Sequence, residues 1–233
     1  MQFCLRFIVA SLAAVVLPLA TGCGRGGDGA AAGPAAIDGS EGGKGTSAAD
    51  TAGSAPQQPR NDPFHPTVVI DTSLGSITVR LDKEKAPVTV DNFLYYVDSG
   101  YYDQTIFHQV IKDYPKVILG GAFTPDLTEK KARTPIYNEA RIGLKNRRGT
   151  IAMARQPDAV HSATCYFFFN LTDNDVLDYK DDSAEGYGYC AFGQITQGLD
   201  VADRIASVPV HDTDRFERIP VEPVVIRSIR RAP

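Results

Sequence analysis

The sequence lacks the spacing that gathers metal ligands: its four histidines, His65, His108, His161 and His211, are scattered. A zinc site draws on His and Cys held at short fixed intervals, so metal chemistry is not expected. A Gly-x-Ser-x-Gly elbow is missing, which removes the serine hydrolases that depend on it. Basic residues form no stripe interleaved with aromatics, and the formal net charge is −4, which disfavours nucleic acid as a partner. The segment Gly42–Thr46 faintly resembles a phosphate loop, but Lys44 is followed by Gly45 and no strand leads into it. The acidic segment Asp173–Asp182 lacks the glycine and the closing glutamate of a calcium loop and reads as solvated. Long hydrophobic runs are also missing. The longest, Phe7 to Ala20, is too short to span a membrane as a helix.

What that run does offer is an address. Arg6, the apolar stretch and the small residues after it are laid out as a secretory signal peptide, residues 1–22. Leu19-Ala20-Thr21-Gly22-Cys23 looks like a bacterial lipobox, which makes Cys23 the expected lipidation site and the membrane a partner through a lipid anchor. Residues 23–60 are almost entirely Gly, Ala, Ser, Pro and scattered charge, a composition expected to form a disordered tether. A coil of that length reaches roughly 35 Å. The expected location is the bacterial cell envelope, facing the periplasm or the outer surface.

Residues 61–233 suit one domain with a full core. Strands are expected at Thr67–Asp71 and Ser76–Leu81, joined by a turn at Ser73-Leu74-Gly75. Pro87 opens a helix in which Val90, Phe93, Leu94 and Val97 share a face, and Gly100 ends it. Further strands are expected at Thr105–Ile111, Val117–Gly120, Gly149–Ala154, Cys165–Asn170, Tyr189–Ile195 and Val224–Ile229. A second helix, Leu199 to Ser207, carries Leu199, Ala202, Ile205 and Ala206 on one face. Many short strands with two helices predict a mainly β, mostly antiparallel barrel or sandwich. Cys165 and Cys190 are the two thiols of the domain, open to pairing in an oxidising compartment or to burial as small hydrophobes.

Four motifs follow one another through this domain: "TIFHQVI…GGAF", "NEARIGLKNRRGTIAMAR", "HSATCYFFFNL" and "GYGYCAFGQITQGLDVADRI". Together they resemble the cyclophilin family of peptidyl-prolyl isomerases, in its bacterial periplasmic branch, from Thr67 to Ile229. The resemblance implies a closed eight-stranded antiparallel barrel capped by two helices, no cofactor, and a monomeric domain. Its implied partners are Xaa-Pro segments of unfolded or exported proteins. By the same resemblance Phe107 and His108 match a Phe-His pair at the pocket edge, and Phe168 matches the floor of a proline socket. Ala154 lines the groove for the preceding residue, Leu177 the socket wall, and Tyr189 stands where bacterial relatives also carry tyrosine.

The polar positions depart from the family pattern. Gln109 stands where the family carries its catalytic arginine, and Leu119 where a glutamine precedes the two glycines. Tyr166 replaces a second glutamine, Arg155 an asparagine, and Val176 a tryptophan or phenylalanine. A two-residue insertion between Ile111 and Gly120 leaves Val117 loosely matched to a socket methionine. Two readings follow: an isomerase with a weakened site, in which Arg155 is a candidate substitute donor, or a degenerate fold that binds proline-containing peptides or a protein partner.

Overall fold

A computed structural model describes residues 62–233, so the signal peptide, Cys23 and the tether lie outside the described residues. Ten strands occur: β1 (Thr67–Thr72), β2 (Gly75–Leu81), β3 (Thr105–Ile111), β4 (Val117–Gly120), β5 (Thr150–Met153), β6 (Phe167–Asn170), β7 (Ala191–Gln197), β8 (Val210–His211), β9 (Ile219–Pro220) and β10 (Val224–Arg231). Two helices, α1 (Pro87–Asp98) and α2 (Leu199–Ser207), and a 3-10 turn at Asp175–Leu177 complete the list among the described residues.

Eight strands close into one antiparallel barrel in the order β1-β10-β3-β4-β6-β5-β7-β2, and β8 and β9 form a separate two-stranded ribbon. Closure leaves the barrel without a free edge, which removes the usual risk of edge-to-edge association. In β1 and β2 the alternation is plain: Val68 and Ile70 pair through the ladder with Val79 and Ile77, and all four are fully buried.

Each helix starts for an identifiable reason. Pro87 fixes the first turn of α1, and the N-cap, Ala86, offers no side-chain acceptor. The buried carboxylate of Glu139 takes that role from a distant loop, accepting from the Val88 and Thr89 amides at 3.1 and 2.8 Å. Helix α2 begins at Gly198, whose φ of +83° is left-handed, and a Cβ there would meet the Ser76 carbonyl oxygen at 2.3 Å. Its buried face is Val201, Ala202, Ile205 and Ala206, with Leu199 only partly covered.

The interior is aromatic. Phe93 of α1 reaches Phe167 at 5.6 Å and Phe192 at 5.2 Å between ring centroids, and Phe107 and Phe169 flank Phe167 at 6.1 and 5.9 Å. Such pairs add about 0.5–1.5 kcal/mol each beyond their buried area. The double glycine makes room for them. A Cβ on Gly120 would sit 2.9 Å from the Phe107 ring, and one on Gly121 would sit 2.9 Å from the Phe167 ring.

Candidate active site

All seven residues of β3 are buried, so its faces are set by hydrogen-bond register and not by alternation. Phe107 pairs with Gly120, yet Gln109 pairs with Leu119, which leaves His108 as an extra residue in the ladder. A bulge of this kind re-aims the side chains that follow it. Phe107 therefore points into the barrel core, whereas Ile111 belongs to a second apolar cluster outside it.

That second cluster gathers the residues that the resemblance assigns to a groove. Val117, Leu119, Ala154, Phe168 and Leu177 meet there with Ile111, Ala152 and Ala191, and Tyr166 and Tyr189 pack against them. Phe168 is fully buried within it, with the Tyr189 ring edge-on at 5.8 Å. Val176 sits on the 3-10 turn at the margin, 37% exposed. In the β3–β4 loop Tyr114 is exposed, and Val117 belongs to the second cluster.

Three placements correct the sequence reading. Phe107 does not edge the pocket: it is fully buried against Phe167 and Phe169. His108 lines no open wall either, being 4% exposed between the rings of Phe123, Tyr166 and Phe216. Its Nδ1 has no hydrogen-bond partner, and burial pushes the imidazole down to about 3, against a weaker opposite effect of the Ile106 backbone. Such a ring is neutral at ordinary pH and carries no charge to a substrate.

Arg155 is the third correction. Its guanidinium is spent on backbone carbonyls: Nε donates to Gly188 at 2.8 Å, one terminal nitrogen to Gln156 and Pro157 at 2.9 Å each, and the other to Ala184 at 2.6 Å. The charge also lies 4.9 Å from the Tyr189 ring centroid. Arg155 pins the loop 184–188 beneath the groove. Four of its five N–H donors are thereby committed, so the fork that a catalytic arginine would present is largely taken up.

Sequence reasoning missed a ladder of buried amides that positions the groove. The Asn146 backbone amide donates to Asp178 at 2.7 Å, and its Nδ2 to the carbonyls of Leu177 and Tyr189 at 3.0 and 3.1 Å. Asn170 donates to Asn146 at 3.1 Å, and Asn174 donates to Asn170 at 2.7 Å. Fully paired buried amides specify one arrangement, so Leu177 and Tyr189 are held on a rigid frame. The only hint in the sequence is three asparagines close to apolar runs.

Beside the apolar patch opens a cavity of about 310 Å³, lined by Leu119, Glu129, Ala154, Arg155, Gln156 and Tyr166 among others. The Tyr166 hydroxyl donates to the Glu129 carboxylate at 2.5 Å across its mouth.

A closed eight-stranded antiparallel barrel with two helices is the architecture its motifs imply. Residues 67–231 match the family described as cyclophilin type peptidyl-prolyl cis-trans isomerase/CLD. The chain belongs to the cyclophilins. Peptidyl-prolyl cis-trans isomerase cyp18 of Streptomyces antibioticus is 48% identical over 164 residues, 70% of this chain and 97% of that protein. Peptidyl-prolyl cis-trans isomerase B of Escherichia coli is 44% identical over 162 residues, again 70% of this chain and 97% of that protein. Among solved structures, a Cryptosporidium parvum cyclophilin crystallised in the presence of the dipeptide Ala-Pro superimposes with a TM-score of 0.59 at 25% identity. That superposition covers 72% of this chain and 99% of the other. Cys165 and Cys190 are both free and buried.

Proposed function

We propose that this cyclophilin is an envelope-anchored isomerase of Xaa-Pro bonds in exported proteins, with a catalytic centre weaker than the family pattern. The observation that carries the reading is the pairing of a retained apolar groove with substituted donors at Gln109 and Leu119. An Ala-Pro dipeptide accompanies a similar fold, which supports a proline-containing ligand for the groove.

The chemistry is rotation about an amide whose C–N bond has double-bond character, with a barrier of about 18–20 kcal/mol. The patch of Val117, Leu119, Leu177 and Phe168 grips the proline ring, and the groove at Ala154 takes the preceding residue. A donor aimed at the proline nitrogen favours the pyramidal, unconjugated amide found only near the transition state, so it accelerates the step. Gln109 supplies that donor from a neutral amide. Charge-assisted hydrogen bonds are roughly twice as strong as neutral ones, and one lost preorganised donor costs about 10²–10³ in rate. His108 and Phe107 act by positioning: the first sets the bulge and the second fills the barrel behind it.

The second reading, a binder of proline-containing segments without turnover, is favoured by the commitment of four of the five Arg155 donors to backbone carbonyls. Exchange spectroscopy on an Xaa-Pro tetrapeptide separates the two. Accelerated cis–trans exchange supports the isomerase, while saturable binding at the uncatalysed exchange rate supports the binder. The anchor is tested by Cys23→Ala, which is expected to move the protein from the membrane to the soluble fraction. Retention in the membrane would contradict it.

A further inference from the structure

The histidines are scattered along the sequence, yet the fold gathers one of them with two carboxylates. His65, Asp82 and Glu84 each bring a ligating atom within 4.8 Å of the other two. His65 precedes β1, and Asp82 and Glu84 lie in the turn between β2 and α1. Backbone hydrogen bonds join these two segments independently of the three side chains. The Leu81 amide donates to the Pro66 carbonyl and the Lys83 amide to the Phe64 carbonyl, at 2.8 Å each. The Asp82 amide donates in turn to the Phe192 carbonyl at 2.8 Å, which fixes the turn to the barrel.

The imidazole is arranged as a ligand, which separates this group from a run of surface acids. Its Nδ1 lies 2.8 Å from one oxygen of Asp62, and the other oxygen accepts the Phe64 amide at 2.9 Å. The His65 bond and the Phe64 amide hold the Asp62 carboxyl below the usual carboxylate range, so Asp62 is ionised and accepts. Nδ1 is then the donor, and Nε2 keeps the lone pair that a metal takes. A carboxylate behind a histidine is the outer-shell arrangement of many metal sites; it fixes the tautomer and raises the basicity of the ligating nitrogen. Asp82 accepts the Lys85 amide at 2.9 Å, which uses one of about four lone-pair positions on its carboxylate. Lysines nearby do not fill the group. Lys83 pairs with Asp91 at 2.5 Å, Lys85 is exposed, and among the described residues neither forms an ion pair with Asp82 or Glu84.

We propose that His65, Asp82 and Glu84 bind a divalent transition cation, Zn²⁺, which clasps the segment before β1 onto the β2–α1 turn. Nε2 and one oxygen from each carboxylate supply three ligands, and water completes a four-coordinate site. Zinc–ligand bonds of about 2.0–2.2 Å place tetrahedral donors about 3.4 Å apart. Closing the group from within 4.8 Å therefore asks only for side-chain rotation, chiefly of the exposed Glu84. An imidazole in the donor set favours zinc over magnesium or calcium, which take oxygen ligands.

The test titrates Zn²⁺ into the chelator-treated full protein and follows binding by calorimetry and by Tm. One zinc per chain is expected, and zinc at 100 times its Kd is expected to raise Tm by about 5–10 °C. His65→Gln and Glu84→Gln are each expected to weaken binding by more than about 10-fold, and Asp62→Asn, acting through His65, by about 10-fold. Co²⁺ in place of zinc reads the coordination, through visible absorption that His65→Gln abolishes. Zinc held elsewhere, at His161 or His211, would bind the His65→Gln and Glu84→Gln variants as it binds the natural protein. That result, or a Tm that zinc leaves unmoved, overturns the proposal. If His65→Gln does not fold, the exposed Glu84→Gln decides it alone. Peptide turnover is not part of the readout, so the outcome is independent of the isomerase reading.

Discussion

Gln109 faces Leu119 directly across the β3–β4 ladder. These are two of the positions at which the family pattern asks for a polar side chain, an arginine and a glutamine. The register makes them cross-strand partners, and such pairs share one local environment. An aliphatic Leu119 has no atom that can accept from, or orient, a guanidinium at position 109. On the function proposed above, the two departures amount to one change of site chemistry, from a supported cation to an unsupported amide.

Burial of His108 has a consequence for acid stability. The folded imidazole is pushed down to about 3, while the unfolded chain titrates near the ordinary value of 6.5. Between those values the unfolded state binds the additional proton, so stability is full above pH 6.5 and falls as pH drops toward 3. The slope is up to about 1.4 kcal/mol per pH unit. His108→Phe removes this dependence. Urea melts at pH 7 and pH 4.5 are expected to show the variant gaining about 2–3 kcal/mol on the natural protein over that interval. Parallel stability curves would contradict the burial of a neutral ring.

Arg155 is read as a structural pin. Arg155→Lys keeps the charge but loses the planar fork and leaves carbonyls of the 184–188 loop without donors. The expected cost is about 2–4 kcal/mol, seen as a lowered Tm. An unchanged Tm with a selective loss of turnover would make Arg155 a group that acts on the substrate.

The thiols of Cys165 and Cys190 are pushed by burial up to about 11 and about 12. Neither is expected to react with a thiol reagent at pH 8 while the protein is folded, and both are expected to react in denaturant. Peptide mapping of the labelled sites reads this directly. Prompt labelling of the folded protein, or a Tm that falls on reduction, would show an exposed thiol or a disulfide.

Much of the barrel was readable because its strands are short apolar runs bounded by turn residues. Thr105–Ile111, Val117–Gly120 and Leu199–Ser207 coincide with β3, β4 and α2. The sixth strand was read two residues early, at Cys165. Cys165 and Tyr166 look apolar, but β6 pairing begins only at Phe167, opposite Gly120. The ribbon of β8 and β9 was not readable, since two residues carry no period.

The site was legible in outline and not in direction. Uniform burial of β3 hides which side chains face inward, so the bulge at His108, and with it the inward turn of Phe107, leaves no mark in the pattern. The role of Arg155 was equally hidden, because two of its partners are carbonyls 29 and 33 residues further along the chain. Glu129 gave no signal, being one charge in a mixed polar stretch.

The central claim, an intact groove with a weakened donor, is tested most directly by the rate of cis–trans exchange of an Xaa-Pro tetrapeptide on the natural protein and on Gln109→Arg. The account predicts slow but measurable catalysis by the natural protein and a rise of about 10-fold or more in kcat/KM with arginine, with Kd little altered. The rise is held below the full value of a donor because Leu119 leaves the new guanidinium unsupported. Catalysis by the natural protein that equals or exceeds that of the arginine variant would contradict the account.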